Sequence, residues 1–253
     1  MTRYVDQTDA RLRLTEADYR DDVFHGFTWD FDSNAVSFHD CLFEQMHFRE
    51  RAFELSEFKH CRFVNCHFDS AQVKECLFED CHFYDRETEL TCSFKFADLT
   101  ATRFIRCDIS MCNFSRSQVY RTEFIQCQAQ GVDYSHAQAV KSVGSTVVLE
   151  GAKLHDCNFA YADFSGAALS ESEITENRMS HWLLNRADLS GAQIVDCELH
   201  GIEAAGIVLR GADLRGSDLT GLDVREIDMS DVKINGFQQA MLLETLGMII
   251  DDT

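Results

Sequence analysis

The stretch Phe38 to Phe83 reads FHDCLFEQMHFRERAFELSEFKHCRFVNCHFDSAQVKECLFEDCHF. Every fifth residue in it is large and apolar: Phe38, Phe43, Phe48, Phe53, Phe58, Phe63, Phe68, Val73, Phe78 and Phe83. Neither the 3.6 of a helix nor the 2 of a strand gives such a series. The residue two before each centre is usually small, as at Cys41, Ser56, Cys61, Cys66, Ala71, Cys76 and Cys81. Such an alternation fits a narrow four-sided interior with room for one large side chain on each face.

The period continues outward from this stretch. Displaced by one residue, it runs from Phe94 through Leu99, Phe104, Ile109, Phe114, Val119, Phe124 and Ala129 to Tyr134. A third run goes from Leu149 through Phe159, Leu189 and Leu209 to Ile234. Segments such as ADLTA, ADFSG and ADLSG carry the pattern A(D/N)LXX. The sequence resembles the pentapeptide-repeat superfamily, and the resemblance implies an all-β, right-handed quadrilateral β-helix, a solenoid of four repeats per coil. Coils stacked at the strand spacing of ~4.8 Å make a rod on the order of 45 Å long.

Composition agrees. The chain of 253 residues has no proline, as expected where nearly every strand is paired on both sides. No apolar run is long enough for a membrane helix, and the N-terminus lacks the apolar core of a signal peptide. A cytoplasmic protein is expected. The formal charge of −20 disfavours nucleic acid or an anionic membrane as a direct partner and favours a basic protein surface.

All eleven cysteines stand two before a repeat centre. They read as small buried apolar residues, since aligned Cβ vectors and a reducing compartment oppose bridges. C-x₄-C recurs here only because the repeat is five, and His60, His67 and His82 fall at outward positions, so no metal site and no cofactor is expected. No phosphate-binding glycine motif or nucleophile–base constellation is present, and no enzyme is expected. Glu171, Glu173, Glu176 and Arg178 surround two unusual fillers, Asn177 and Trp182, and read as a bulky face or a bend.

The period breaks in two places. From Phe83 to Phe94 the step is eleven, so a loop projects over Tyr84, Asp85, Arg86, Glu87, Thr88, Glu89, Leu90 and Thr91. From 138 to 148 the phase holds but large centres vanish. Either a second loop projects there, with Val140, Lys141, Ser142, Val143, Ser145, Thr146 and Val147, or small centres at Ala139 and Gly144 continue the coil. Loops on a rigid scaffold are where specificity usually lives.

Both ends need covers, because an open β-helix end exposes strand edges. Residues 1–34 lack the repeat and read as an N-terminal cap or arm, leaving 35–236 as the β-helix. Residues 237–253 read as a helix and dimerisation tail, with Asn235 as N-cap and Gly247 as stop. Phe237, Met241, Leu242, Leu243, Leu246 and Met248 are the expected homodimer contacts.

At these interruptions the sequence is similar to one branch, the Qnr quinolone-resistance proteins. The segments carrying the resemblance are Cys81 to Thr88, Cys127 to Tyr134, Glu176-Asn177-Arg178 and Leu242 to Gly247. The resemblance implies a cytoplasmic homodimer that binds DNA gyrase and topoisomerase IV and protects them from quinolones through its loops, with the acidic rod imitating duplex DNA. Residues 35–236 carry net −13, about half the charge density of duplex DNA over that length. Outward Asp would equally arise for solubility. Another partner on the same scaffold, in toxin immunity or an adaptor role, is the alternative.

Overall fold

The computed structural model describes residues 3–12, 18–143, 146–220 and 222–249, with backbone alone at 12, 140–143 and 146–149. The chain winds as a right-handed, four-sided β-helix of roughly nine turns. Its broadest sheet has nine parallel strands in which each pairs with the one a coil away. Phe58 lies opposite Phe78, Phe78 opposite Phe104, Phe104 opposite Phe124, and Phe124 opposite Leu154.

The repeat explains itself at each corner. In the turn Phe94-Lys95-Phe96-Ala97 the N–H of Ala97 donates to the carbonyl of Phe94 at 3.0 Å, and Phe96 has φ +59°. A positive φ at the third position is the mark of a type II turn. The same handedness recurs two residues after most centres, at Asp40, Gln45, Glu50, Leu55 and onward. Glycine takes this position most often near the C-terminus, at Gly191, Gly201, Gly206, Gly211 and Gly216.

The Asp of A(D/N)LXX has a local task. Asp98 Oδ1 accepts the N–H of Thr100 at 3.1 Å, Asp163 that of Ser165 at 2.8 Å, and Asp188 that of Ser190 at 3.0 Å. Each is a side chain satisfying the backbone two residues on.

Inside, centres stack in columns. Phe38 and Phe58 lie 4.8 Å apart and 4° from parallel, and Phe63 and Phe83 4.6 Å and 2°. Every cysteine is buried and unbridged. Most of the thiols donate to carbonyls of the preceding coil, Cys61 to Phe38 at 3.4 Å and Cys81 to Phe58 at 3.3 Å. Burial raises the thiols of Cys76 and Cys112 to about 12. Asn177 continues this column in place of a thiol. It accepts the N–H of Cys157 at 2.8 Å and donates to the carbonyl of Leu154 at 2.7 Å. Trp182 is fully buried beside Phe164, and strand Glu173–Thr175 pairs in register with Gln193–Val195. The expected irregularity there is an internal substitution that leaves the strand pairing in register.

The N-terminal end differs from the expected cap of residues 1–34. Strands Asp18–Arg20 and Asp22–His25 pair in the solenoid sheets, Tyr19 opposite Phe38 and Phe24 opposite Phe43. Tyr19, Phe24 and Trp29 are buried centres of a further coil. This coil is one residue short, so stacked partners such as His25 and Glu44 stand 19 apart instead of 20, and the five-step count from Phe38 misses it. The cover is smaller: helix α1 (Gln7–Leu12) sets buried Ala10 over the end, where the Tyr19 hydroxyl donates to its carbonyl at 3.0 Å.

At the other end helix α2 runs Gln238–Thr245. Its Gln238 is fully buried, and Nε2 donates to the carbonyls of Leu214 and Ser217 at 2.7 and 2.8 Å. Both lie toward the end of the rod, where only a partial coil follows: the Leu214 N–H still meets the carbonyl of Lys233 at 2.9 Å, and the Leu214 carbonyl also accepts the turn N–H of Ser217 at 3.2 Å. Asn235 is not the helix cap. Its N–H donates to Gln238 Oε1 at 2.6 Å, and Phe237 takes the cap position without a side-chain bond. Gly247, at φ +79°, ends the helix as expected, with the N–H of Met248 returning to the carbonyl of Leu243 at 3.2 Å.

Candidate protein-binding loops

Loop 1 replaces the corner after Phe83. Residues stacked across it stand 26 apart, as with Cys66 and Cys92, against 20 in a regular coil, so six residues leave the coil. They form a short hairpin, Tyr84–Asp85 antiparallel to Leu90–Thr91. Asp85 is the hub. Its carboxylate accepts the N–H of Glu87 at 3.1 Å and meets Arg62 of the coil below at 3.2 Å. Those contacts, the Glu87 amide first, hold its carboxyl below the usual range. Arg86 reaches the other way, to Asp108 of the coil above at 3.3 Å. Glu87, Thr88, Glu89 and Leu90 are exposed.

Loop 2 replaces the corner after Ala139. Partners across it stand 30 apart, as with Cys127 and Cys157, so ten residues, two whole repeats, leave without changing the phase. Strands Val140–Val143 and Thr146–Leu149 form an antiparallel hairpin, Val140 opposite Leu149 and Val143 opposite Thr146. Of the two sequence expectations, the projecting loop is correct. Ala139 is buried as the last centre before it, and Ser145 lies outside the described residues. At its foot Glu150 accepts from the Tyr120 hydroxyl and pairs with Arg121, both at 3.2 Å. A recess of about 630 Å³ opens there, lined by Arg103, Lys153, Glu171 and Glu173 among others.

The four faces follow in the order of Phe78, Phe83, Phe94 and Leu99. Loop 1 therefore leaves the corner between the second and third faces, and loop 2 the corner between the fourth and the first. The loops project from opposite corners, two coils or about 10 Å apart along the axis. Periodicity locates both breaks. It says nothing of the holding residues Arg62, Asp108, Tyr120 and Arg121, which look like ordinary outward positions.

The expected dimer contacts divide. Phe237, Leu246 and Met248 are exposed and Leu243 is half-buried, whereas Met241 and Leu242 pack against the core of the rod. Ile249, overlooked in the sequence, is almost wholly exposed. Among the described residues no group of three or more His, Cys, Asp or Glu is placed to hold a metal, and no helix is long and apolar enough to cross a membrane.

A four-sided coil with a small–large interior and Asx-capped corners defines a pentapeptide-repeat protein, and the pentapeptide-repeat family model matches residues 147–175 and 192–231. Among relatives, the pentapeptide repeat protein QnrB4 of Escherichia coli is 31% identical over 116 residues, 46% of this chain and 54% of that one. The matched segment thus spans about half the length of the curated relative. The structure of full-length QnrB1, a plasmid-mediated fluoroquinolone resistance protein, superposes with TM-score 0.76 at 29% identity, over 84% of this chain and 100% of the other. A trypsin-treated QnrB1 variant gives TM-score 0.70 at 30% identity, over 77% and 91%. The chain belongs to the Qnr family of pentapeptide-repeat proteins.

Proposed function

We propose that this protein binds DNA gyrase and topoisomerase IV, without catalysis, and protects them from quinolone inhibition. The observation that carries the reading is the pair of hairpins standing at opposite corners of an otherwise uninterrupted rod, on a chain whose relatives include a fluoroquinolone resistance protein. A rigid solenoid presents loops with little ordering cost on binding. The acidic surface supports attraction to a basic enzyme surface. Two of its carboxylates near the C-terminal end are pinned by their turns and held below the usual range: the Arg225 guanidinium lowers Asp223 to about 2, and Thr220 lowers Asp218. A fixed ladder of charge is compatible with imitation of duplex DNA, though the turn-capping role already accounts for Asp at these positions. The exposed apolar residues flanking α2, Phe237 before it and Leu246 and Met248 after it, support a two-fold homodimer. A cytoplasmic location follows from these partners.

The test is gyrase supercoiling at an inhibitory quinolone dose, titrated with the protein. Restoration of supercoiling supports the reading, and unchanged inhibition at every concentration contradicts it.

A further inference from the structure

Loop 1 is held from outside itself. Arg62, His82 and Asp108 are successive outward rungs on one face, His82 in the loop's own coil and the others in the coils on either side. The loop straddles this column, Asp85 pairing with Arg62 and Arg86 with Asp108. Both carboxylates are nearly buried, with side chains 11% and 10% exposed, whereas the two arginines are mostly exposed. The turn-forming bonds of Asp85 to Glu87 and of Asp108 to Ser110 orient each carboxylate before the arginine arrives. Two charge pairs of opposite sense, one toward each neighbouring coil, fix a short hairpin about two points.

We propose that Arg62 and Asp108 are positioning residues that fix how loop 1 meets its partner. The part they present is Glu87, Thr88, Glu89 and Leu90, two carboxylates around one aliphatic side chain. Its chemistry fits a basic protein surface with a small apolar seat. An unlatched hairpin of this length would have to be ordered on binding, and that cost falls on affinity. This inference rests on the function proposed above, but its first measurement does not.

The experiment uses the full chain and the variants Arg62→Ala, Arg62→Lys and Asp108→Asn. Asn keeps the carbonyl oxygen that Ser110 uses and removes the charge that Arg86 uses. Amide hydrogen exchange across residues 84–91 is read first, then half-maximal rescue of quinolone-inhibited gyrase. Arg62→Ala and Asp108→Asn are expected to speed exchange in the loop while the melting temperature stays unchanged. The concentration for half-maximal rescue should rise about five-fold, and Arg62→Lys should recover most of both. Exchange unchanged in both loss variants overturns the latch. Faster exchange with unchanged rescue overturns the positioning role and leaves the protective function standing. If wild-type protein gives no rescue, the functional reading fails, the positioning role falls with it, and exchange alone decides whether the latch exists.

Discussion

Phe68 and Phe94 stack face to face, with ring centroids 4.6 Å apart and planes 3° from parallel, although a whole loop lies between them in sequence. Their separation matches that of Phe63 and Phe83, which no loop divides. The solenoid therefore closes beneath loop 1 as if the loop were absent.

Excising Asp85–Leu90 should accordingly join Tyr84 to Thr91 as an ordinary two-residue corner. Two ion pairs whose arginines are mostly exposed and a two-rung hairpin are lost, an effect of about 1 kcal/mol. Thermal unfolding should shift by no more than ~4 °C, while protection of gyrase falls. A collapse in melting temperature would mean that the loop is part of the scaffold.

Gln238 should matter far more than its place in a short terminal helix implies. Its amide closes two carbonyls at the end of the rod, and Ala would leave them without those partners. A loss of roughly 2–3 kcal/mol is expected for Gln238→Ala, measured by denaturant unfolding. A change below about 0.5 kcal/mol would show that water replaces the amide freely.

Buried polar groups in the interior should divide by whether they are bonded. Asn177 bonds both ways within its column, so Asn177→Ala should cost on the order of 2 kcal/mol or more. The hydroxyl of Tyr134 is buried with no hydrogen-bond partner among the described residues. Tyr134→Phe should be neutral or stabilising, and calorimetry of the two variants side by side checks the contrast. Destabilisation by Tyr134→Phe would reveal a bonded hydroxyl.

The thiols should be silent in the folded protein. All eleven are buried and unbridged, and burial raises Cys197 to about 11, with Cys76 and Cys112 higher still. At pH 8 a disulfide reagent should titrate almost none until denaturant is added, then all of them, because the thiolate is the reactive form. Rapid native labelling would place at least one sulfur at the surface.

How far the sequence could be read follows from what a five-residue period records. It reports which residues point inward, so the columns of Phe, Cys and Ala, the two interruptions and the fold were legible. It does not carry past the shortened coil at the N-terminal end. Tyr19, Phe24 and Trp29 belong to the solenoid, but the step from Trp29 to Phe38 is nine, and residues 18–34 passed for an arm. Outward positions carry no periodic signal either. Arg62 and Asp108 gain their meaning from the loop that lies against them, a relation between coils that no linear pattern contains. Asn177 reads as an unusual filler in the sequence because a thiol and an amide do the same work there only in three dimensions.

The central claim is that the hairpins are the working parts of an inert rod. Its most direct test is a gyrase supercoiling assay under an inhibitory quinolone, comparing wild type with a variant lacking Glu87–Leu90 and Val140–Val147 that still unfolds at the wild-type temperature. The account predicts that wild type restores supercoiling and the folded variant does not. Equal restoration by both would contradict it and place the contact on the faces of the rod.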